Sequence, residues 1–208
     1  MARKKYWDLY ADCDHLLPEV PDLGYENQDN HSKRIFDAND WRSFDITERD
    51  IKRSRQAYFA NISYLDDKIG EILQTLEDTR QEAIIIFCSD HGDMLGNHNM
   101  WAKRLFYEYS ANIPMILVGG SSDKQIGYNR VDDRLVGWQD VMPTLLDMAN
   151  IDIPETVEGL SMVGNQKRDW FYAEVGEDNH ATRMIHDGRY KLIYYPVGNC
   201  TQLFDLQA

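Results

Sequence analysis

The sequence predicts an α/β fold carrying a small antiparallel β-sheet near its C-terminal end, and three observations lead there. A long segment with helical periodicity is followed by two continuous apolar runs of strand-like composition, and from about residue 169 the chain changes to short alternating segments around an Asp-Gly turn signal.

Residues 1–46 are rich in Asp, Asn, Pro and aromatics without clear periodicity, which predicts loop with short helical turns, a wall or lid and not a core. From Thr47 the pattern changes. Ile51, Tyr58, Ile62, Leu65, Ile69, Ile72, Leu73 and Leu76 fall at three- and four-residue spacings behind a Thr47/Asp50 capping pair, so a helix is expected over 48–78. Ala83-Ile84-Ile85-Ile86-Phe87-Cys88 reads as a central strand of a parallel sheet, buried on both faces, and Ile113-Pro114-Met115-Ile116-Leu117-Val118 as a second. Asp140 stands where a helix N-cap belongs, with Pro143 in the first turn and Leu145, Leu146, Met148 and Ala149 continuing a short helix. Asp169 to Glu174, Thr182 to His186 and Tyr190 to Tyr195 read as strands, the last two joined by an Asp187-Gly188 hairpin turn.

Length and composition set bounds. A chain of 208 residues with 43% apolar content can bury a sizeable core. The 35 acidic residues against 22 Lys and Arg give a formal charge of -13, which excludes a nucleic-acid partner and an anionic membrane over most of the surface. An acidic protein that binds an anionic ester needs a local cation and a nearby Lys or Arg. Cys13, Cys88 and Cys200 form no metal or disulfide pattern, and Cys88 is expected to be a buried small hydrophobe. No apolar stretch is long enough for a membrane span, so a soluble protein is expected, cytoplasmic or periplasmic.

The chemistry concentrates after the first apolar run, which leads directly into Ser89-Asp90-His91-Gly92-Asp93. Ligands of open α/β sheets gather at the carboxyl ends of strands. A carboxylate and an imidazole there can hold part of a divalent-metal shell, with Gly92 allowing a sharp turn. Taken alone, the same pair is equally an Asp capping a turn and an ordinary hydrogen-bonded histidine. Twelve residues beyond His91, at the end of a loop containing Gly96, Asn97, His98 and Trp101, lies Lys103. His98 could line the pocket, and Trp101 is expected to form its wall. Glu174, His180 and Arg183 are weaker candidates for substrate contact. Asp66 and Asp67, beside Lys68, belong to the solvated or packing face of the long helix.

Ser89-Asp90-His91-Gly92-Asp93-Met94-Leu95-Gly96 followed by Trp101-Ala102-Lys103 and Phe106-Tyr107-Glu108 resembles the late metal and sulfate motif of the sulfatase family, within the alkaline-phosphatase-like superfamily. Tyr64-Leu65-Asp66-Asp67-Lys68-Ile69-Gly70, Asp140-Val141-Met142-Pro143-Thr144-Leu145-Leu146-Asp147 and Asp187-Gly188-Arg189-Tyr190-Lys191-Leu192 occur in the family's order. The resemblance covers most of the chain from about residue 50 and is strongest to choline-sulfatase-like, iduronate-sulfatase-like and arylsulfatase members. It implies part of an alkaline-phosphatase-like sheet sandwiched by helices, with residues 1–160 in the catalytic α/β domain and 161–208 in an antiparallel subdomain. It also implies Asp90 and His91 as metal ligands, Lys103 as the catalytic contact to the sulfate oxygens, and a small-molecule or carbohydrate sulfate ester as substrate. Many members have Asn in place of His91, and the His form is shared with phosphonate- and phosphodiester-cleaving relatives. Calcium is the first expectation for the metal, and a nitrogen ligand brings manganese into consideration, with magnesium a further alternative.

The family's nucleophile is a formylglycine made from Cys or Ser in a C-x-[PSA]-x-R motif. Cys13, Cys88 and Cys200 are each without the Arg four residues on. The sequence therefore reads as the later piece of a sulfuric ester hydrolase, whose isolated chain is expected to be inactive. Exposed strand edges would then favour self-association or an N-terminal half chain as partner. A non-catalytic remnant and a phosphonate or phosphate ester hydrolase on the same scaffold are the alternatives.

Overall fold

Helical periodicity dominates the middle of the first half, and in the computed structural model of this chain the long helix lies where that periodicity places it. The structure describes residues 3–11, 17–119, 126 and 129–208, and Cys13 lies outside them. These residues form two compact units, one comprising 1–28, 32–83 and 91–112, the other 29–31, 84–90 and 113–208.

In the first unit, helix α1 (Lys4–Trp7) precedes helix α3 (Glu48–Asp78), whose bounds match the expectation. The capping box is formed: the Asp50 N–H donates to the Thr47 hydroxyl at 3.3 Å and the Thr47 N–H donates to the Asp50 carboxylate at 3.1 Å. Asp67 faces α1, accepting from Lys5 Nζ at 2.8 Å and from the Tyr6 hydroxyl at 2.7 Å. Tyr6 packs edge-on against Tyr64 with ring centroids 5.5 Å apart. The apolar stripe is only partly covered, since Ile62, Leu65, Ile72 and Leu73 stay exposed.

Between α1 and α3 lies helix α2 (Asn30–Ala38), where only loop and short turns are expected from the sequence. Ile35 and Phe36 anchor it in the core, and Phe36 meets Tyr25 and Trp41 edge-on. Three apolar residues in nine positions, Ile35, Phe36 and Ala38, give too weak a period to mark a helix by pattern, so packing decides the matter.

In the second unit, β1 (Ile85–Cys88) pairs with β2 (Met115–Val118) in antiparallel register, Ile85 opposite Val118 and Cys88 opposite Met115. This corrects the expected parallel, doubly buried arrangement. β1 is half-buried along its whole length, and β2 alternates half-buried with exposed. An apolar run reports affinity for a strand, whereas direction follows from the connection. The segment between these strands contains only a 3₁₀ turn at Asn97–Asn99 and the four-residue helix α4 (Glu108–Ala111), with no crossover helix to return the chain in parallel. Cys88 is half-buried and not enclosed as expected, Cys200 is exposed, and both thiols are free.

Helix α5 (Val141–Met148) follows a 3₁₀ turn at Trp138–Asp140, with Pro143 buried in its first turn. Asp140 stands at the N-cap position but does not cap the helix through its side chain. Its fully buried carboxylate instead accepts the Gly137 N–H at 2.9 Å, the Leu160 N–H at 2.8 Å and both terminal nitrogens of Arg168 at 2.5 and 2.7 Å. The Thr144 hydroxyl donates to the Asp140 carbonyl and accepts from the Met162 N–H at 2.9 Å, so this carboxylate and hydroxyl tie α5 to residues 160–168.

The C-terminal meander consists of β3 (Phe171–Val175), β4 (Thr182–His186), β5 (Tyr190–Tyr195) and β6 (Cys200–Asp205), each antiparallel to the next. β4 and β5 have the expected bounds. Their turn tip is Gly188-Arg189, one residue later than expected: the Asp187 N–H donates to the Tyr190 carbonyl at 3.1 Å, and Gly188 takes φ 99°. β6 is an additional strand. Met184, Lys191, Ile193 and Tyr195 are buried on one face. Tyr172, Ile185, Leu192 and Leu203 form an exposed row in register across the other. Among the described residues no helix is long and apolar enough to cross a membrane.

Candidate active site

Three of the four site residues expected from the sequence, His91, His98 and Lys103, lie on one loop of the first unit. Its entry requires glycine: the Gly92 N–H donates to the Ser110 carbonyl at 2.9 Å, and any Cβ at this position would collide with the Tyr109 carbonyl. The His91 Nδ1 lies 2.7 Å from the Gly92 carbonyl. A carbonyl can only accept, so Nδ1 is the donor in this contact. A metal-ligating histidine has its other ring nitrogen held by such an acceptor.

The loop then folds back on itself. Asp93 Oδ1 accepts the N–H groups of Leu95 at 2.9 Å and Ala102 at 3.1 Å, while the Met94 N–H donates to the Ala102 carbonyl and the Gly96 N–H to the Met100 carbonyl, each at 2.8 Å. Met94 and Met100 are fully buried beneath it. Leu95, His98, Asn99, Ala102 and Arg104 all take positive φ, from 47° to 78°. Non-glycine residues hold that conformation only where surroundings enforce it. The surroundings here are explicit. Arg55 of α3 donates to the Leu95 carbonyl at 2.9 Å, Asn97 Oδ1 accepts the Val20 N–H at 3.0 Å and its Nδ2 donates to the Met94 carbonyl at 2.8 Å, and Gln28 donates to the His98 carbonyl at 3.0 Å. Burial pushes the Arg55 guanidinium below its ordinary pKa, while the Tyr109 phenol is raised by its hydrogen bond to Glu19.

The His98 ring stacks on Tyr107 with centroids 4.6 Å apart. Trp101 is half-buried and packs its ring toward Gly96. Lys103 sits at the end of the loop, exposed, and its ammonium has no hydrogen-bond or ion-pair partner among the described residues. Asp90 is exposed at the end of the β1 segment in the second unit and precedes His91 directly in the chain. The weaker candidates lie in the C-terminal meander. Glu174 and Arg183 face each other across β3 and β4 at 3.8 Å, and His180 is exposed in a 3₁₀ turn.

As donor types, a carboxylate and an imidazole are among those a divalent cation takes, one offering hard oxygen and the other nitrogen. Two donors are at most part of a shell. Among the described residues no group of three or more His, Cys, Asp and Glu side chains comes together to complete one. Asp93, Asn97 and Arg55, which hold the loop, were not singled out in the sequence. The available signal was Asp93 followed by Leu95-Gly96, a side-chain acceptor beside a turn glycine.

Comparison with known proteins bears on the family. The sulfatase family pattern matches residues 15–151, and the pattern described as N-sulphoglucosamine sulphohydrolase, C-terminal, matches 96–208. Choline-sulfatase of Rhizobium meliloti is 41% identical over all of this chain and 42% of its own length. A sulfatase-type protein of Bacteroides fragilis superposes with a TM-score of 0.76 at 25% identity, over 99% of this chain and 44% of that one. The phosphonate monoester hydrolase of Agrobacterium radiobacter gives 0.68 at 25%, over 78% and 37%. The chain thus spans about two fifths of the length of the choline-sulfatase it matches. With the family pattern covering well over half of its residues and the expected α/β fold shared with sulfatase structures, this chain belongs to the sulfatase family.

Proposed function

We propose that this chain is the metal- and anion-binding portion of a sulfuric ester hydrolase. The observation that carries the reading is the loop from His91 to Lys103, which opens on a histidine whose Nδ1 lies against the Gly92 carbonyl and ends in an exposed lysine without a partner among the described residues. In this reading Asp90 and His91 hold one side of a divalent cation, calcium or alternatively manganese or magnesium, whose remaining ligands come from residues outside this chain. Bound there, the cation would withdraw charge from the ester oxygens. Lys103 places its ammonium against the nonbridging oxygens, where negative charge grows in the transition state. His98, held by its stack on Tyr107, lines the approach to Lys103.

The attacking group is assigned to another segment, because no cysteine here stands in a C-x-[PSA]-x-R motif. The same reading places residues 1–160 in the catalytic domain and 161–208 in a C-terminal subdomain. The uncovered apolar residues of α3 and the outer row of the meander are where an N-terminal half chain or a second copy would pack. Choline sulfate is the first ester to test, since the 41% identical relative is named for it. A phosphonate or phosphate ester is the second reading, favoured by the likeness to the Agrobacterium radiobacter phosphonate monoester hydrolase.

The test is a chimera in which the part of the Rhizobium meliloti choline-sulfatase that precedes the matched region is joined to this chain. Hydrolysis of choline sulfate or 4-nitrophenyl sulfate, lost on Lys103→Ala, supports the first reading. Turnover confined to phosphonate monoesters supports the second, and a folded chimera with no turnover would reduce the loop to ancestry.

A further inference from the structure

Lys103 lies between two residues in the left-handed region, Ala102 at φ 61° and Arg104 at φ 78°. Neither is glycine, so the backbone that aims this lysine must be held from outside. Both peptide groups of Ala102 are held: its carbonyl accepts the Met94 N–H at 2.8 Å, and its N–H donates to Asp93 Oδ1 at 3.1 Å. The same carboxylate oxygen accepts the Leu95 N–H at 2.9 Å, so one atom joins the start of the loop to the residue before Lys103. The loop's other side-chain attachments, from Arg55, Asn97 and Gln28, reach residues 94 to 98, whereas Asp93 reaches residue 102 directly.

We infer that Asp93 is the positioning residue for Lys103: its carboxylate closes the loop and fixes the direction in which the ammonium meets a sulfate or phosphate oxygen. The inference rests on the reading of Lys103 as the anion contact. It also makes a prediction of unusual sign. If Asp93 acted only through its charge, removing that charge would relieve repulsion and tighten anion binding in both Asp93→Ala and Asp93→Asn. As a clasp, Asp93 tolerates Asn, whose Oδ1 accepts the same two N–H groups, but not Ala, which accepts none.

Two readouts on the purified full chain separate these cases, amide hydrogen exchange and a titration with inorganic sulfate followed by NMR. Asp93→Ala should raise exchange at Leu95 and Ala102 by tenfold or more while leaving α3 and β4–β5 unchanged, and should weaken sulfate binding about as much as Lys103→Ala does. Asp93→Asn should restore both. Unchanged exchange at Leu95 and Ala102 in Asp93→Ala, or tighter sulfate binding in both Asp93 variants, overturns the inference. If the unsubstituted chain gives a sulfate response that Lys103→Ala leaves intact, the anion role of Lys103 fails, and exchange alone decides whether Asp93 clasps the loop.

Discussion

Removing the Asp140 side chain should be among the most damaging single changes available in this chain. The carboxylate is fully buried, and Arg168, its charged partner, retains 15% side-chain exposure. Asp140→Ala leaves that guanidinium without its carboxylate, with the Leu135 carbonyl at 3.0 Å as its remaining hydrogen-bond acceptor, and also leaves the N–H groups of Gly137 and Leu160 without theirs. Breaking a buried pair from one side costs about 3–5 kcal/mol. The two stranded N–H groups overlap with that figure instead of adding to it, so about 4 kcal/mol is a fair expectation. Against a domain stability of about 5–15 kcal/mol, the variant would be barely folded or would unfold early in urea. Asp140→Asn keeps an acceptor for one N–H and should lose roughly half as much, while replacing both Asp140 and Arg168 by apolar residues of similar volume should recover much of the loss. Urea denaturation followed by Trp138 and Trp170 fluorescence measures all three. A loss below about 1 kcal/mol for Asp140→Ala would refute the reasoning, because it would mean that the buried carboxylate holds nothing the fold needs.

Other consequences are equally concrete. Gly92→Ala should cost at least about 2 kcal/mol through the clash with the Tyr109 carbonyl, read as a fall in thermal stability; an unchanged melting point would mean the loop entry can shift. In the chimera, Lys103→Ala should lower kcat by about two to three orders of magnitude with a smaller effect on KM, as expected for a contact that strengthens in the transition state. Arg and Lys partners hold the carboxyls of Asp67, Asp132 and Asp205 below the usual range, as backbone N–H groups do for Asp187. A depressed folded-state pKa stabilises the fold above the unfolded value and loses that contribution as pH falls through the folded one. Urea midpoints should therefore hold steady above about pH 5 and drop below about pH 4, and a rise on acidification would contradict this assignment.

Much of this architecture is legible in the sequence where one physical signal dominates. α3 carries eight apolar residues at helical spacing behind a capping pair, and β4 and β5 alternate on either side of an Asp-Gly signal, so their bounds follow from pattern alone. Direction and burial of β1 and β2 do not, because an apolar run is the same in parallel and antiparallel pairs. β6 escapes notice since Cys200 and Thr201 open it with little apolar character, and its pairing with β5 supplies the order. Asp140 looks like a cap because its position is that of a cap. Only the structure brings Arg168, 28 residues on, to its carboxylate. At the site, the identities of Asp90, His91 and Lys103 stand out by motif, whereas the clasp at Asp93 depends on two backbone N–H groups that carry no residue signature.

The central claim is that Asp90 and His91 form part of a metal site. Its most direct test is calorimetric titration of the purified chain with manganese and with calcium, beside an Asp90→Ala/His91→Ala double variant of equal stability. Weak, saturable binding that the double variant abolishes is the predicted result. Binding that survives the double substitution, or no binding by the unsubstituted chain, would contradict the claim.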